Sequence, residues 1–541
     1  MNPAWADPIL TCAAAKALEA RLFGGNEERE WGAMQRAGAG VARAVLADFR
    51  EIGGFPDGGR VLVLAGKGHN GGDALLAAKT ILDQFPAAQV AVLFPGGERA
   101  LRPLTWRAWR GLLGGTGLPT RVQRIFMGQE THATAYDLCL DGLFGFQFHP
   151  PVEAATAEVL RWVNVHPGIR LRAAVDLPSG VGEEAGDITF RADFTYATGS
   201  VKAPLLLPRH REAVGRLRYL DLGFFGRPAA GVADPGAIID LAGTGPGSPS
   251  PATQLPAASS DFVLKSSVLA PLAALRAPQS DKRTFGHLFV IGGSRSYPGA
   301  VLMCARAALR SGVGLVTVFA PESLVAAYAA GAPEAIWVGW PEAPDGGLAL
   351  AGLPLLRARL ERATALVVGP GLGSEGEVIA LAGKIVKLAD IPVVLDADAL
   401  QPSILAAVRG KRVICLPHAG EFQRLAGGRE ATSAVLRAVA HETGATIVLK
   451  GPVTRIADGD RVHHSFFGGP VLARGGSGDL LAGLVSGLLA QSAFEPVPAA
   501  CRGVVWHGLA ADLLARDRGQ VAVQVTQLLD YLPAALREAV R

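Results

Sequence analysis

Several features that mark secreted, membrane or nucleic-acid-binding proteins are missing from this sequence. The five cysteines lie far apart without a CxxC pair, so neither a disulfide framework nor a zinc site is indicated. No apolar run approaches the roughly 18 residues of a transmembrane helix, and the N-terminus lacks the basic and apolar regions of a signal peptide. The net charge of +4 comes without a basic run, which argues against nucleic acid and membranes as partners. We therefore expect a protein of the reducing cytoplasm.

Charged residues are also scarce, and lysine is the scarcest cation. Only 18% of the 541 residues are charged and 49% are hydrophobic, which is typical of a globular chain too long for one core. Ten lysines stand against 42 arginines, so a lysine inside a glycine-rich motif is more informative than usual. Lys67, Lys202, Lys282 and Lys450 occupy such positions.

The chain contains two series of short apolar strands that alternate with Ala- and Leu-rich helical segments. This alternation is typical of α/β domains with parallel sheets buried on both faces. A Pro/Gly/Ser-rich stretch over residues 243–253 separates the two series. The sequence therefore predicts an N-terminal domain over residues 1–226, a linker over 227–260 and a C-terminal domain over 261–541.

A glycine-rich loop in the first half follows the strand predicted over residues 61–65. It spans Gly66–Asp73 and leads into a predicted helix over residues 74–82, after a long helical stretch predicted over about residues 12–49. A strand, glycine loop and helix in this order can receive a phosphate or another polar ligand at the helix N-terminus. The loop has neither the dinucleotide-binding fingerprint nor the P-loop spacing.

Polar side chains follow several strands of the first half. The carboxyl ends of parallel strands meet at one edge of an open α/β sheet, so these side chains can share a site. A single Asp after a strand is more often a turn former or a cap, but four polar strand ends in one domain favour a site. The residues concerned are Asn70, Asp141, Asp176, Ser179 and Lys202.

The most distinctive stretch of the second half is the glycine-rich run over residues 473–479, which precedes an apolar, helix-like segment. Gly475, Gly476 and Gly478 allow consecutive N–H groups to point at one spot near the positive end of that helix, as a phosphate requires. Asp479 would repel a resident phosphate unless it takes a proton from an attacking hydroxyl. The run therefore predicts phosphoryl transfer to an alcohol. The alternative is a glycine turn with Asp479 as the helix N-cap.

Two other strand ends of the second half allow more than one interpretation. The run Gly369–Gly373 is either a ligand loop or a tight turn. His418 and Glu421 lack the HExxH spacing that places two metal ligands on one helix face. A helix start in which His418 pairs with Glu421 is favoured over a ligand contact, and metal ligation is the least favoured.

The first half resembles the epimerase domain of bacterial bifunctional NAD(P)H-hydrate repair enzymes over about residues 9–225. His69 and Ala74 depart from the glycine loop of that family, in which Asn and Gly are usual. The loop and the family's DxLFG, VDxPSG and Gly-x-x-Lys segments stand here at Gly66–Ala74, Asp141–Gly145, Ala174–Gly180 and Gly199–Lys202.

This resemblance implies a Rossmann-like three-layer sheet and specific roles for its residues. It implies that Asn70, Asp141 and Ser179 hold a potassium ion, whose preference for oxygen ligands suits this set. It implies that Asp176 and Lys202 handle protons. The implied contacts to the hydrate are Asn70, Gly71, Gly72, Asp73, Gly145, Phe146, Gln147 and Asp176.

The second half resembles the ribokinase-like fold, and more closely the ADP-dependent NAD(P)H-hydrate dehydratases, over about residues 261–538. The supporting strings are FGHLFVIGGSRSYPGA (285–300), VVGPGLG (367–373), VVLDADAL (393–400), LPHAGEFQRLAG (416–427), VLKGPVTRIA (448–457) and ARGGSGDLLAG (473–483). The resemblance implies that Ala300, Gly373, His418 and Asp479 contact the hydrated nicotinamide. The implied nucleotide contacts are Lys450, Gly451, Pro452, Val453, Thr454, Gly475, Gly476 and Gly478.

Both resemblances together predict an α/β enzyme of two three-layer domains that repairs hydrated NADH and NADPH. The N-terminal half would interconvert the R and S hydrates, and the C-terminal half would dehydrate the S hydrate with ADP or ATP and Mg²⁺. The alternative is a small-alcohol kinase joined to a non-catalytic binding module. The sequence leaves open the oligomeric state, a homo-oligomer included, and the preference between NADHX and NADPHX.

Overall fold

The architecture comes from a computed structural model that describes residues 3–114, 121–127, 134–184, 186–226, 259–491 and 495–540. Its internal contacts divide the chain into a unit over Asp7–Ser259 and a unit over Ser260–Arg541 that also includes Met1–Ala6. The predicted linker, apart from residues 259 and 260, lies outside the described residues. No helix in the described ranges is long and apolar enough to cross a membrane.

The N-terminal unit is built on a seven-stranded sheet, which follows the short strand β1 (Ala6–Pro8) in the chain. Its strands are β2 (Arg60–Ala65), β3 (Gln89–Leu93), β4 (Val122–Ile125), β5 (Tyr136–Gly142), β6 (Ile169–Val175), β7 (Phe194–Thr198) and β8 (Arg216–Leu220). They lie in the order β4-β3-β2-β5-β6-β7-β8, and all neighbours are parallel. The helices are α1 (Cys12–Phe23), α2 (Glu27–Phe49), α3 (His69–Gln84), α4 (Pro103–Gly114), α5 (Ala154–Val165) and α6 (Arg211–Val214).

Helices cover both faces of this sheet because alternate side chains of a strand point to opposite faces. Val61 and Val63 of β2 pack with α2, α3 and α4. Leu62 and Leu64 of the same strand pack in a second core that includes α5. The predicted three-layer α/β arrangement is therefore confirmed for this unit.

Two helix predictions for this unit differ from the structure. The long helical stretch is interrupted at Gly24 and Gly25, which take positive φ angles of 58° and 72°, and Asn26 then caps the start of α2. The helix predicted over residues 74–82 already begins at His69. The second half of the glycine motif therefore belongs to the first turns of α3 rather than to a loop.

The C-terminal unit contains ten strands, β9 to β18. They are β9 (Asp261–Leu264), β10 (His287–Ile291), β11 (Leu315–Pro321), β12 (Ile336–Trp340), β13 (Ala365–Val368), β14 (Val393–Leu395), β15 (Val413–Cys415), β16 (Thr446–Leu449), β17 (Thr454–Ala457) and β18 (Val462–Ser465). They lie in the order β9-β18-β17-β16-β15-β14-β13-β10-β11-β12. β17 is antiparallel to both of its neighbours, and the other pairs are parallel.

Helices again form layers on both faces of the sheet. They are α7 (Pro298–Arg310), α8 (Val325–Gly331), α9 (Leu353–Arg357), α10 (Gly376–Leu388), α11 (Pro402–Leu405), α12 (Ala419–Leu425), α13 (Ser433–Thr443), α14 (Ser477–Leu489), α15 (Pro496–Arg518) and α16 (Leu528–Ala539). Leu288 and Val290 of β10 share a core with α7 and α14 to α16. Phe289 and Ile291 share the opposite core with α10, α12 and α13.

The close contact between α14 and α7 at Gly483 gives a stability prediction. A Cβ atom at Gly483 would lie 2.2 Å from the carbonyl oxygen of Cys304 and 2.8 Å from the Cβ of Ala307. Gly483→Ala should therefore lower the free energy of unfolding by about 1–3 kcal/mol, although alanine has the better helix propensity. Urea unfolding measures the effect.

The matched control is Gly383→Ala on α10. The nearest atom to its added Cβ, the Cγ1 of Ile404, lies 4.0 Å away, which is ordinary contact. This variant should be neutral or more stable by up to about 1 kcal/mol. Equal unfolding midpoints for the two variants would contradict the close helix approach.

Candidate active sites

A buried Asp–Lys pair lies at the carboxyl ends of β6 and β7 in the N-terminal unit. The Nζ of Lys202 donates to the Oδ1 of Asp176 over 2.5 Å and to the carbonyl oxygen of Thr198 over 3.1 Å. The backbone N and the hydroxyl of Thr198 donate to the same Oδ1 over 3.3 Å. Asp176 is 5% and Lys202 1% exposed, so both charges are held out of water in a fixed arrangement.

Two further residues lie around this pair. The Nζ of Lys202 is 5.1 Å from the ring centroid of Phe146, one of the implied substrate contacts. Burial raises the pKa of Glu19 on α1 to about 7, with Lys202 acting to lower it and Asp176 to raise it. Glu19 was missed by sequence reasoning because it lies within an ordinary helical pattern. Gln147, another implied contact, is exposed in the loop that carries Phe146.

The three implied potassium ligands form a second cluster beside β5. The Oγ of Ser179 donates to Asp141 over 2.6 Å, and the N–H groups of Ser179 and Leu143 also donate to this carboxylate. The Nδ2 of Asn70 donates to the carbonyl oxygen of Phe144 over 2.7 Å. Ser179 and Asp141 are fully buried, and Asn70 is 8% exposed. The structure therefore brings all three predicted ligands to the same sheet edge.

One oxygen atom of this cluster has no partner among the described residues. The Oδ1 of Asn70 is buried and has no hydrogen-bond partner. Burial raises the pKa of Asp141 to about 6, although its hydrogen bonds from Ser179 and Leu143 lower it. Asp141 forms no ion pair with a described cationic side chain. A buried carboxylate without a cation is costly, so the cluster fits an oxygen-liganded cation.

The implied contact glycines of the N-terminal unit stand where the chain packs closely. A Cβ at Gly71 would lie 2.2 Å from the carbonyl oxygen of Gly66, and one at Gly72 would lie 2.2 Å from the Cε of Met34. A Cβ at Gly145 would lie 3.5 Å from the Cβ of Asn70. Gly71 and Gly72 therefore let the start of α3 pack closely against Gly66 and α2, and Gly145 places the loop after β5 in ordinary contact with Asn70. The remaining implied contact, Asp73, is buried on α3.

In the C-terminal unit, a charged cluster joins the ends of β14 and β16 to the start of α14. The Nζ of Lys450 donates to the Oδ1 of Asp396 over 2.7 Å, and Asp396 is 2% exposed. A Cβ at Gly478 would lie 3.3 Å from this Nζ. Burial alone would lower the pKa of Lys450, but the charges of Asp396, Glu421 and Asp479 outweigh it and raise this pKa.

Asp479 lies in the first turn of α14 and not at its N-cap. The N-cap position belongs to Gly476, which has a φ angle of 88° and no side chain for capping. The interpretation of Asp479 as a helix cap is therefore wrong. Burial and the charge of Asp396 together raise the pKa of Asp479 to about 6, although the charge of Lys450 acts to lower it. A carboxyl group with a pKa near neutrality suits a general base.

Gly475 and the segment after β16 form the open side of this cluster. A Cβ at Gly475 would meet no atom within 4 Å. Lys450, Gly451, Pro452 and Val453 connect β16 to β17, which begins at Thr454, and Gly451 and Pro452 are exposed. Lys450 and Gly478, both implied nucleotide contacts, thus lie side by side, with accessible backbone around them.

His418 caps α12, as the favoured interpretation predicted. Its Nδ1 accepts from the N–H groups of Gly420 and Glu421, and the Glu421 carboxylate accepts from the N–H of His418 over 2.7 Å. Its side chain is 60% exposed and therefore still accessible to a ligand. Among the described residues, no group of three or more His, Cys, Asp and Glu side chains forms a metal site.

The two remaining implied substrate contacts lie near Tyr297 and the loop after β13. A Cβ at Gly371 would lie 3.0 Å from the Cβ of Ala300 and 2.5 Å from the carbonyl oxygen of Tyr297. Gly373, in the same loop, has a φ angle of 93°, which favours glycine. The run of glycines is therefore a tight turn that also lies against the start of α7.

Sequence reasoning did not assign a site role to Asp396 or His507. Asp396 follows a buried strand, which was a usable signal because its position parallels those of Asp141 and Asp176. His507 lies inside the long helix α15 and gives no such signal. Burial lowers its pKa to about 4, and it forms a hydrogen bond with the backbone of Ser477 in the glycine loop.

Comparisons with known proteins cover both units. A family model described as NAD(P)H-hydrate dehydratase matches residues 288–534, and one described as YjeF-related protein N-terminus matches residues 32–203. The bifunctional NAD(P)H-hydrate repair enzyme Nnr of Gloeobacter violaceus is 35% identical over 97% of each chain. The enzyme of the same name from Thermosynechococcus vestitus is 34% identical over 98% of each chain.

Among solved structures, the ADP/ATP-dependent NAD(P)H-hydrate dehydratase of Bacillus subtilis, co-crystallised with ATP/Mg²⁺, is 30% identical to this chain. The match covers 50% of this chain and 96% of the Bacillus subtilis chain, with a TM-score of 0.43.

Each of the two α/β units has a charged cluster at the carboxyl ends of its strands, which is typical of enzymes with this architecture. The relatives that match nearly the whole chain identify the family of this enzyme. The chain belongs to the family of bifunctional NAD(P)H-hydrate repair enzymes. The family covers both halves, which favours the repair enzyme over a small-alcohol kinase joined to a non-catalytic module.

Proposed function

We propose that the C-terminal domain, residues 261–541, dehydrates the S form of NADHX and NADPHX with ADP as the phosphoryl donor. The observation that carries this proposal is the position of Asp479, whose carboxyl group lies in the first turn of α14 beside Lys450 and the glycine loop. A base, a cation and free backbone N–H groups at a helix N-terminus are the parts that phosphoryl transfer to an alcohol requires.

The proposed reaction solves a leaving-group problem. The hydroxyl on C6 of the hydrated ring is a poor leaving group, so it first receives a phosphoryl group and then leaves as phosphate, which restores the ring double bond. Asp479 takes the hydroxyl proton as the oxygen attacks phosphorus. Lys450 and the N–H groups of Gly475, Gly476 and Gly478 hold the transferred phosphoryl oxygens.

Mg²⁺ fits this site as an ion that arrives with the nucleotide. Mg²⁺ usually keeps several waters and binds through one or two carboxylates plus substrate phosphates. The described residues hold no three-residue metal cluster, but Asp396 and Asp479 supply carboxylates beside Lys450. Bound there, the ion would neutralise charge that develops on the phosphoryl group.

We propose that the N-terminal domain, residues 1–226, interconverts the R and S hydrates. The buried Asp176–Lys202 pair supports this role because it holds a carboxylate and an ammonium in hydrogen-bond contact beneath Phe146. Such a pair can accept and return a proton. The five free cysteines fit work in a reducing compartment such as the cytoplasm.

We also propose that Asn70, Asp141 and Ser179 hold K⁺. The unpartnered Oδ1 of Asn70 and the buried carboxylate of Asp141 support a cation here. The ion would compensate the charge of Asp141 and hold the start of α3 next to the loop after β5.

The proposed function is tested with a mixture of both hydrate epimers. The protein is incubated with ADP, with ATP and without nucleotide, and the absorbance of the reduced cofactor is followed. Full recovery of both epimers with a nucleotide supports both activities. Recovery of the S hydrate alone would indicate dehydratase activity without epimerase activity. A stable phosphorylated product would indicate a kinase.

Asp479→Asn tests the dehydratase mechanism. Asparagine keeps the size of the side chain but removes the base, so turnover of the S hydrate should fall by about 10² to 10⁴-fold. Nucleotide binding, measured by calorimetry, should persist because Lys450 and the glycine loop remain.

The matched control is Asp176→Asn, the same change in the other unit. It should stop epimerisation and leave turnover of the S hydrate intact. Near-normal turnover in Asp479→Asn would remove Asp479 from the proposed mechanism.

Asp141 makes potassium binding dependent on pH. Its pKa of about 6 lies above the usual value, so in potassium-free buffer the stability that the protonated form contributes is lost as the pH rises through about 6. K⁺ binds the ionised form, so it should raise the melting temperature strongly at pH 7.5, by roughly 2–8 °C, and little at pH 5.

Li⁺ and the variant Asp141→Asn are the controls for this experiment. Li⁺ is too small for these ligands and should stabilise less, and the variant should show a small, pH-independent response to K⁺. Equal melting temperatures in both salts at pH 7.5 would argue against the potassium site.

A further inference from the structure

Asp73 has an unusual environment in the N-terminal unit. It lies in the second turn of α3 and is 8% exposed. Its Oδ1 is buried and has no hydrogen-bond partner among the described residues. A buried carboxyl oxygen without a partner costs free energy, and native proteins keep few such atoms. An atom of this kind beside a binding site calls for a ligand or a chemical role.

Three carboxyl groups share one lysine in this region. Asp73, Asp176 and Glu19 interact electrostatically with one another and with Lys202. Lys202 is already in contact with Asp176 at 2.5 Å, and Asp73 forms no ion pair with a cation among the described residues. Burial, and then the charges of Asp176 and Glu19, raise the pKa of Asp73 well above its usual range, while Lys202 acts to lower it. The carboxyl group of Asp73 therefore favours its protonated form more than an ordinary aspartate does.

We propose that Asp73 is the general acid of the epimerase site, where it donates a proton to the C6 hydroxyl of the hydrated ring as the carbon–oxygen bond breaks. This inference rests on the proposed epimerase function. A neutral carboxyl group is an O–H donor, which a carboxylate beside the same hydroxyl is not. In this arrangement Asp73 supplies the acid, and the carboxylate of Asp176, held by Lys202, supplies the base.

The proposed step balances as follows. The C6–O bond breaks, the oxygen leaves as water with the proton of Asp73, and the electron pair of the ring nitrogen forms a C6–N double bond. Water then adds to the opposite face of C6, and the Asp176 carboxylate takes its proton. The hydroxyl group on C6 now lies on the opposite face of the ring, and solvent returns the proton from Asp176 to Asp73.

The test compares Asp73→Asn with the wild type in R-to-S conversion. Asparagine has nearly the same shape and can donate a hydrogen bond, but it cannot transfer a proton. The kcat should fall by about 10² to 10⁴-fold with little change in KM. The wild type run in ¹⁸O-labelled water should incorporate the label at C6 with each inversion.

Two internal controls accompany this comparison. Asp83→Asn is the same change on the same helix, at a side chain that is 57% exposed, and should leave kcat unchanged. The rate at which the same protein preparations dehydrate the S hydrate shows whether each variant is folded and present at the same concentration as the wild type.

The outcomes separate this inference from the proposed function. A wild type that does not interconvert the epimers overturns the epimerase function itself. Active wild type with a normal kcat in Asp73→Asn, or with only a raised KM, overturns the acid role. Inversion without incorporation of ¹⁸O overturns the carbon–oxygen cleavage.

Discussion

Both units hold carboxylates out of water at the carboxyl ends of parallel strands, and the rest of each site is arranged around that constraint. A buried carboxylate needs a cation, hydrogen bonds or a proton. Lys450 supplies the cation for Asp396, and Lys202 supplies it for Asp176. Asp141 is held by hydrogen bonds from Ser179 and Leu143 instead. Each solution leaves a neighbouring group with an altered proton affinity, which is useful for catalysis.

The two units use this constraint for different chemistry. In the C-terminal unit, Asp396 holds Lys450 next to Gly478, and its charge helps to bring the pKa of Asp479 near neutrality. That arrangement suits the proposed transfer of a phosphoryl group to an alcohol. In the N-terminal unit, Asp73, Asp176 and Glu19 lie around one lysine, and burial with the neighbouring negative charges raises the pKa of Asp73. That arrangement suits acid–base chemistry at one carbon atom, with no phosphoryl group to hold.

The strands in the centre of each sheet were predictable because they are buried on both faces. β2 and β10 are nearly continuous apolar runs, and the strand predicted over residues 61–65 agrees with β2 to within one residue. β4, with two exposed residues among four, and β17, which is half buried, lack that pattern and were missed. Helix starts were less predictable, since α3 begins within the glycine motif, where the packing of Gly71 and Gly72 allows a helix.

The sequence by itself determined the α/β class, the family and the residue types at the strand ends, because glycine spacing and apolar runs are local properties. It also indicated that Asp479 belongs to an anion-binding loop. Only the tertiary structure decided that Asp479 lies inside the first turn of α14 and that Lys450 pairs with Asp396. Partners and proton affinities depend on burial and on charges far apart in the chain. Asp73 and Asp176 lie 103 residues apart in the chain, so no local sequence pattern could show their interaction.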